Sequence, residues 1–128
     1  MHDYQPKKNN RYYLPKTLYK RMIWLIRDYD RMKESWEGLL QVQTMQIGQI
    51  RSTDVIDSVA YAAIRREKLW IDIEAIDWAM EQIPTEYRKA IHRHICYDER
   101  FPDYADRKTW FAWQGRFLWH VANRLGLN

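Results

Sequence analysis

The chain has 128 residues, enough for one domain with a real hydrophobic core and too few for two independent ones. Hydrophobic residues make up 46% and aromatic ones 15%, which excludes a disordered chain, while only 4 glycines and 4 prolines disfavour a turn-rich β fold. The net charge of +4 is unevenly spread, with +5 on residues 1–21, −4 on residues 22–83 (7 basic, 11 acidic) and +3 on residues 84–128, and positive ends around an acidic middle suit a scaffold whose ends meet a polyanion.

The opening stretch, MHDYQPKKNNRYYLPK, has no apolar core segment, so no signal peptide is predicted. Apolar runs stay far below membrane-spanning length, and the single Cys96 suits a reducing compartment. A cytoplasmic protein with no membrane association is expected. Residues 1–14 read as a basic, flexible arm in which Lys7, Lys8 and Arg11 alternate with Tyr4, Tyr12 and Tyr13. Such an arm either follows a phosphate backbone or minor groove, or serves as a frayed, solubilising terminus.

Pro15 can open a helix, where its missing N–H costs nothing. From there Leu18, Met22, Leu25, Tyr29, Met32, Trp36 and Leu39 recur at alternating spacings of four and three, a heptad seam of roughly 33 Å. The Gln-rich stretch 41–53 with Gly48 reads as a connector. Thr53 or Asp54 then caps a second long helix with the seam Val55, Val59, Ala62, Arg66, Leu69, Ile73, Ile76, Met80 and Ile83. Only Arg66 breaks it. Pro84 stops this helix, so residues 15–83 are expected to form a long antiparallel helical hairpin, a dimerisation scaffold. A third helix begins near Pro84-Thr85-Glu86 with Thr85 as cap, the charged segment 97–106 breaks it, and a last helix runs from about Arg107 to Leu125, ended by Gly126. The predicted class is all-α.

Advancing about 100° per residue sorts the last helix into two sides. Trp110, Phe111, Phe117, Leu118, Val121, Ala122 and Leu125 form a core face. Lys108, Thr109, Ala112, Arg116, Trp119, His120 and Asn123 point the other way, with Trp113 and Arg124 at the boundary and Arg107 beside the capping Asp106. An outward Arg, Lys, Thr and small Ala on a short helix suit entry into a major groove, while the plainer reading is a solvated face. Trp119 on that side tilts towards a contact surface.

The segment ADRKTWFAWQGRFLWHVANRLGL resembles the terminal helix of phage-encoded transcriptional regulators of the RinA/ArpU type, themselves similar to the promoter-reading helix-turn-helix of bacterial sigma factors. The likeness rests on the Asp106, Arg107, Thr109 opening, the buried aromatics and the VANRLGL ending, with IPTEYRKAIHRHI resembling the helix that leads in. It implies that residues 84–128 form a short helix-turn-helix-like unit contacting double-stranded DNA through Arg107, Lys108, Thr109, Ala112 and Arg116, with His120 one turn beyond, while Trp113 is expected as a packing contact beside the groove. Two departures stand out. CYDERFPDYAD is short for a full first helix of such a unit, leaving room for one turn around Pro102–Ala105, and Phe111 and Trp113 stand where polar contacts are expected.

His92, His94 and Cys96 cannot converge on one ion from a helix, since residues two apart point in nearly opposite directions. No Ser/His/Asp arrangement, P-loop or nucleotide fingerprint occurs, so no enzyme and no cofactor are expected. The leading expectation is a phage or prophage transcriptional regulator that binds DNA as a homodimer, with host RNA polymerase an open further partner. The competing one is a non-enzymatic helical interaction module, a phage accessory factor or inhibitor of a host protein.

Overall fold

The computed structural model describes residues 4, 5, 7, 9–47 and 53–128, and at 42–47 and 53–56 the backbone alone. Lys8 and the connector around Gly48 therefore lie outside the described residues, as do the side chains of Thr53, Asp54 and Val55. Five helices follow one another: α1 (Lys16–Arg27), α2 (Tyr29–Ile47), α3 (Thr53–Glu81), α4 (Thr85–Tyr97) and α5 (Arg107–Arg124). The described chain contains no strand, so the protein is all-α. None of these helices is long and apolar enough to cross a membrane.

The expected first long helix is two helices. Asp28 ends α1 with its N–H turned to the carbonyl of Leu25 at 3.1 Å, a tightened last turn, and α2 starts at the next residue. Aspartate is a poor interior helix residue, and a single-residue break leaves the four-three spacing of the seam intact. On α1 the buried residues are Tyr19, Met22, Ile23 and Ile26, not the full seam, because the wider i, i+3, i+4, i+7 stripe meets the core.

The chain packs as two compact units, residues 1–28 with 75–128, and residues 29–74. The predicted hairpin segment is thus shared between them. In the first unit α1, α4 and α5 contact one another around Tyr19, Ile26, Ile91, Ile95, Phe117 and Leu118, with Ile76, Ala79 and Ile83 from the end of α3 also buried. Gln114, missed by the sequence reading, is fully buried in this core and donates from Nε2 to the Tyr19 hydroxyl at 3.0 Å. Arg88 donates to the carbonyls of Ile83 (2.7 Å) and Glu81 (3.1 Å), satisfying acceptors that the end of α3 leaves open. Arg27 reaches the Ile95 carbonyl at 2.9 Å and the Asp98 carboxylate at 2.8 Å, tying the ends of α1 and α4.

In the second unit, Trp36 of α2 stacks on Trp70 of α3 with centroids 5.2 Å apart, the kind of contact a helical hairpin makes. Its buried apolar residues among those described are Met32, Ala62 and Ile73.

Candidate nucleic-acid interface

The local sequence fixes α5 at both ends. Asp106 is its N-cap, the side chain accepting from the Thr109 N–H at 2.8 Å. That bond, then the Thr109 hydroxyl and the charge of Lys108, hold the Asp106 carboxyl below its ordinary pKa against a small opposing effect of burial. At the other end Gly126 takes φ +72°, its N–H meeting the Asn123 carbonyl at 3.0 Å and that of Leu127 the Ala122 carbonyl at 2.9 Å. This is a Schellman closure, and its left-handed position favours glycine.

Between α4 and α5 the residues 98–106 form no helix, only a turn at Asp103–Tyr104. Rings lock this long connection. Phe101 lies parallel to Trp110 (5.1 Å, 3°), stacks on His94 (3.8 Å) and meets Phe111 edge-on (5.2 Å). Trp110 Nε1 donates to the Pro102 carbonyl at 2.9 Å, and the Tyr104 hydroxyl to the Glu86 carbonyl. A usual helix-turn-helix is joined by three or four residues, so the orientation of α5 here is set by aromatic packing.

The expected contact residues divide into two groups. In the first turn Arg107 and Lys108 are exposed and form no salt bridge among the described residues, with the Arg107 guanidinium 5.4 Å from the Phe111 ring. Thr109 is half-buried and Ala112 exposed. Further along, Trp113 is half-buried and stacked on Tyr87 (5.6 Å), so it supports the helix from the side. Arg116 is half-buried between the rings of Tyr12 (4.5 Å) and Trp113 (4.7 Å). His120 is half-buried as well, its ring 5.1 Å from Trp119 and 5.8 Å from Trp78. Its buried Nδ1 finds no hydrogen-bond partner among the described residues. Burial, followed by the charges of Arg116 and Arg11, pulls its pKa down. The outward face is therefore open at its start, half-buried at Arg116, Trp119 and His120, and exposed again at Asn123.

The cover is the N-terminal arm. Expected as a flexible tail, its described residues are seated on α5. Tyr4 meets Phe111 edge-on (5.3 Å), Tyr12 meets Trp119 edge-on (5.2 Å), and Leu14 is fully buried. Trp119, expected as an outward aromatic, is half-buried beneath Tyr12. The Gln5 side chain closes the arm into a loop, donating to the Leu14 carbonyl at 2.6 Å and accepting from its N–H at 3.0 Å. The loop leaves Lys7 and Arg11 exposed, with Arg11 over the Tyr12 (5.3 Å) and Trp119 (5.9 Å) rings. Between loop and helix lies a cavity of about 210 Å³ bordered by Asn9, Asn10, Tyr12, Ala112, Gly115 and Arg116. A second, larger cleft of about 560 Å³ at the start of α5 has Arg100 and Arg107 on its border, and Arg100 was not singled out from the sequence.

The described His, Cys, Asp and Glu residues gather no group of three or more that could hold a metal, although His92 and Cys96 approach to 3.8 Å. No protein-family model, no curated protein and no solved structure matches the chain.

Proposed function

We propose that the protein binds double-stranded DNA through the first turn of α5 together with the arm, as a transcriptional regulator of the phage type that its last helix resembles. One observation carries this reading: Arg107 and Lys108 stand exposed and without salt bridges among the described residues, on a capped helix whose other side is buried. A rigid, one-sided helix presents cations at a fixed spacing, and phosphates reward that arrangement by counterion release. Lys7 and Arg11 are exposed on the loop that Gln5 closes, and Arg11, over Trp119, adds a cation further along the helix. Arg116 and His120 take a different part from the one expected. They hold the arm, and Thr109 and Ala112 are left as the polar and small contacts next to the groove. Two-fold pairing of the chain would match a palindromic site, a host RNA polymerase contact would be additional, and the setting would be cytoplasmic.

Fluorescence anisotropy with duplex DNA across a salt series tests this. Log affinity falls steeply with log salt, and Arg107→Ala with Lys108→Ala lowers the slope by about 2. No retention of duplex at low salt overturns the reading. The competing reading, a helical module docking on a host protein, is favoured by the exposed Trp24, and it predicts capture of that protein with no DNA retained.

A further inference from the structure

Positive charge is also concentrated away from α5. Residues 4–27 hold seven basic side chains and no acidic one, and α1 carries four of the seven. Tyr19, Met22, Ile23 and Ile26 bury one side of α1. Lys16, Lys20, Arg21 and Trp24 are exposed on the other, within an arc of about 140° at 100° per residue. The first three form no salt bridge among the described residues. The next carboxylate along the chain is Asp28, the half-buried C-cap beyond Arg27.

Trp24 stands in the middle of this cationic side. It is 65% exposed, and Lys20 and Arg21 precede it by one turn. Arg27 fixes the ring from one face. Its guanidinium lies over the indole at 5.2 Å while bound to the Ile95 carbonyl at 2.9 Å and the Asp98 carboxylate at 2.8 Å. One face of the indole is thus backed by an anchored group, and the other is open to water.

We infer that the outward side of α1 binds single-stranded nucleic acid, with phosphates on Lys16, Lys20 and Arg21 and one unstacked base on the open face of Trp24. Chemistry selects this occupant. An anionic membrane calls for an apolar face that can insert, and the apolar face of α1 is already in the core. Trp24 alone would suit a protein partner, but lysine is depleted at protein interfaces and serves phosphate well as a point charge. Duplex DNA offers the same phosphates while keeping its base faces stacked inside, which leaves Trp24 nothing to stack on. A single strand presents both, and a cationic track with an aromatic platform is how such strands are held without sequence preference. This site lies on a different helix from the proposed duplex contact and does not rest on it.

Fluorescence anisotropy of the full chain with a labelled oligothymidylate, roughly 12 nucleotides long, tests the site. The oligonucleotide binds, and Lys20→Ala with Arg21→Ala lowers the slope of log affinity against log salt by about 1.4, the value for two single-strand phosphates. Trp24→Ala weakens binding about tenfold, Trp24→Phe keeps most of the affinity, and Trp24→Leu, apolar but without a ring, does not. Circular dichroism checks that helix content is kept, and if Trp24→Ala loses helix the Phe and Leu variants carry the comparison. No binding at low salt overturns the inference, as does equal affinity in the Phe and Leu variants. Displacement by polyglutamate, phosphatidylserine vesicles or duplex DNA as effective as by unlabelled oligothymidylate overturns it too. Affinity lost in Arg107→Ala with Lys108→Ala but kept in the α1 variants puts the strand on α5 and ends the case for α1. A parent that holds the oligonucleotide and no duplex sinks the duplex reading and leaves this one standing.

Discussion

Arg116 shows how one side chain changes meaning once its neighbours are known. On a helical wheel it is an outward cation one turn beyond Ala112, while in the fold it lies between Tyr12 and Trp113. A guanidinium between two rings gains about 0.5–1 kcal/mol per ring at partly exposed sites, so its removal acts on the arm first. Arg116→Ala is expected to speed tryptic cleavage after Arg11 and to leave the DNA salt slope close to that of the parent, whereas Arg107→Ala lowers the slope by about 1. Two titrating groups give further tests. The folded-state pKa of His120 lies below its ordinary 6.5, so the neutral ring is the one the fold favours. Its contribution is present in full above that value and is lost as pH falls through the window beneath it. Cleavage after Arg11 should quicken over that window in the parent and stay flat in His120→Gln. Asp106 shifts in the same direction as a carboxylate: its cap stabilises above the ordinary 3.8 and is lost as pH falls through the lower folded value. Asp106→Asn keeps the cap, and thermal melts of that variant lose this acid-side dependence.

At the scale of elements, α5 was readable because its signals are local. Asp106 before a basic turn and Gly126 after the last apolar residue bracket the helix at both ends, and both act as caps. Gly126→Ala must place a Cβ at φ +72° and costs about 1 kcal/mol in a urea melt, without touching the contact face. The break at Asp28 was hidden for the opposite reason. A heptad repeat records which residues are apolar, and a one-residue interruption does not disturb that record. Gln114 was invisible on similar grounds, since polarity alone assigns an amide to the surface, and its bond to Tyr19, 95 positions away, helps to make its burial favourable. Spacing in the arm showed three tyrosines among cations but not the rings they would meet, because Tyr12 finds Trp119 across most of the chain. The ends of α5 are written in neighbouring residues, whereas at α4 the expected cap Thr85 is the first helical residue and Pro84 holds the cap position without a side-chain bond, since proline's fixed φ suits it. The composition of the candidate site depends on pairings between distant residues.

For the molecule as a whole, burial is uneven. Large side chains such as Trp110, Phe111, Phe117 and Tyr19 are packed into the unit that carries α5, while among the described side chains of residues 29–74 the buried apolar ones are Met32, Ala62 and Ile73. Amide exchange should be slowest in α5, whose buried rings anchor that unit, and faster at its exposed first turn. The exposed cationic turn of α5 belongs to the unit that buries these large side chains, so the candidate contact face takes its shape from that core. One small feature of that unit has a chemical vulnerability. The loop over α5 is shut by a single primary amide, and its nitrogen is the only hydrogen-carrying half of the clasp that Gln5 supplies. Hydrolysis of that amide, imitated by Gln5→Glu, would put an oxygen opposite the oxygen of Leu14. With volume unchanged and one proton donor gone, the clasp would open from its own repulsion.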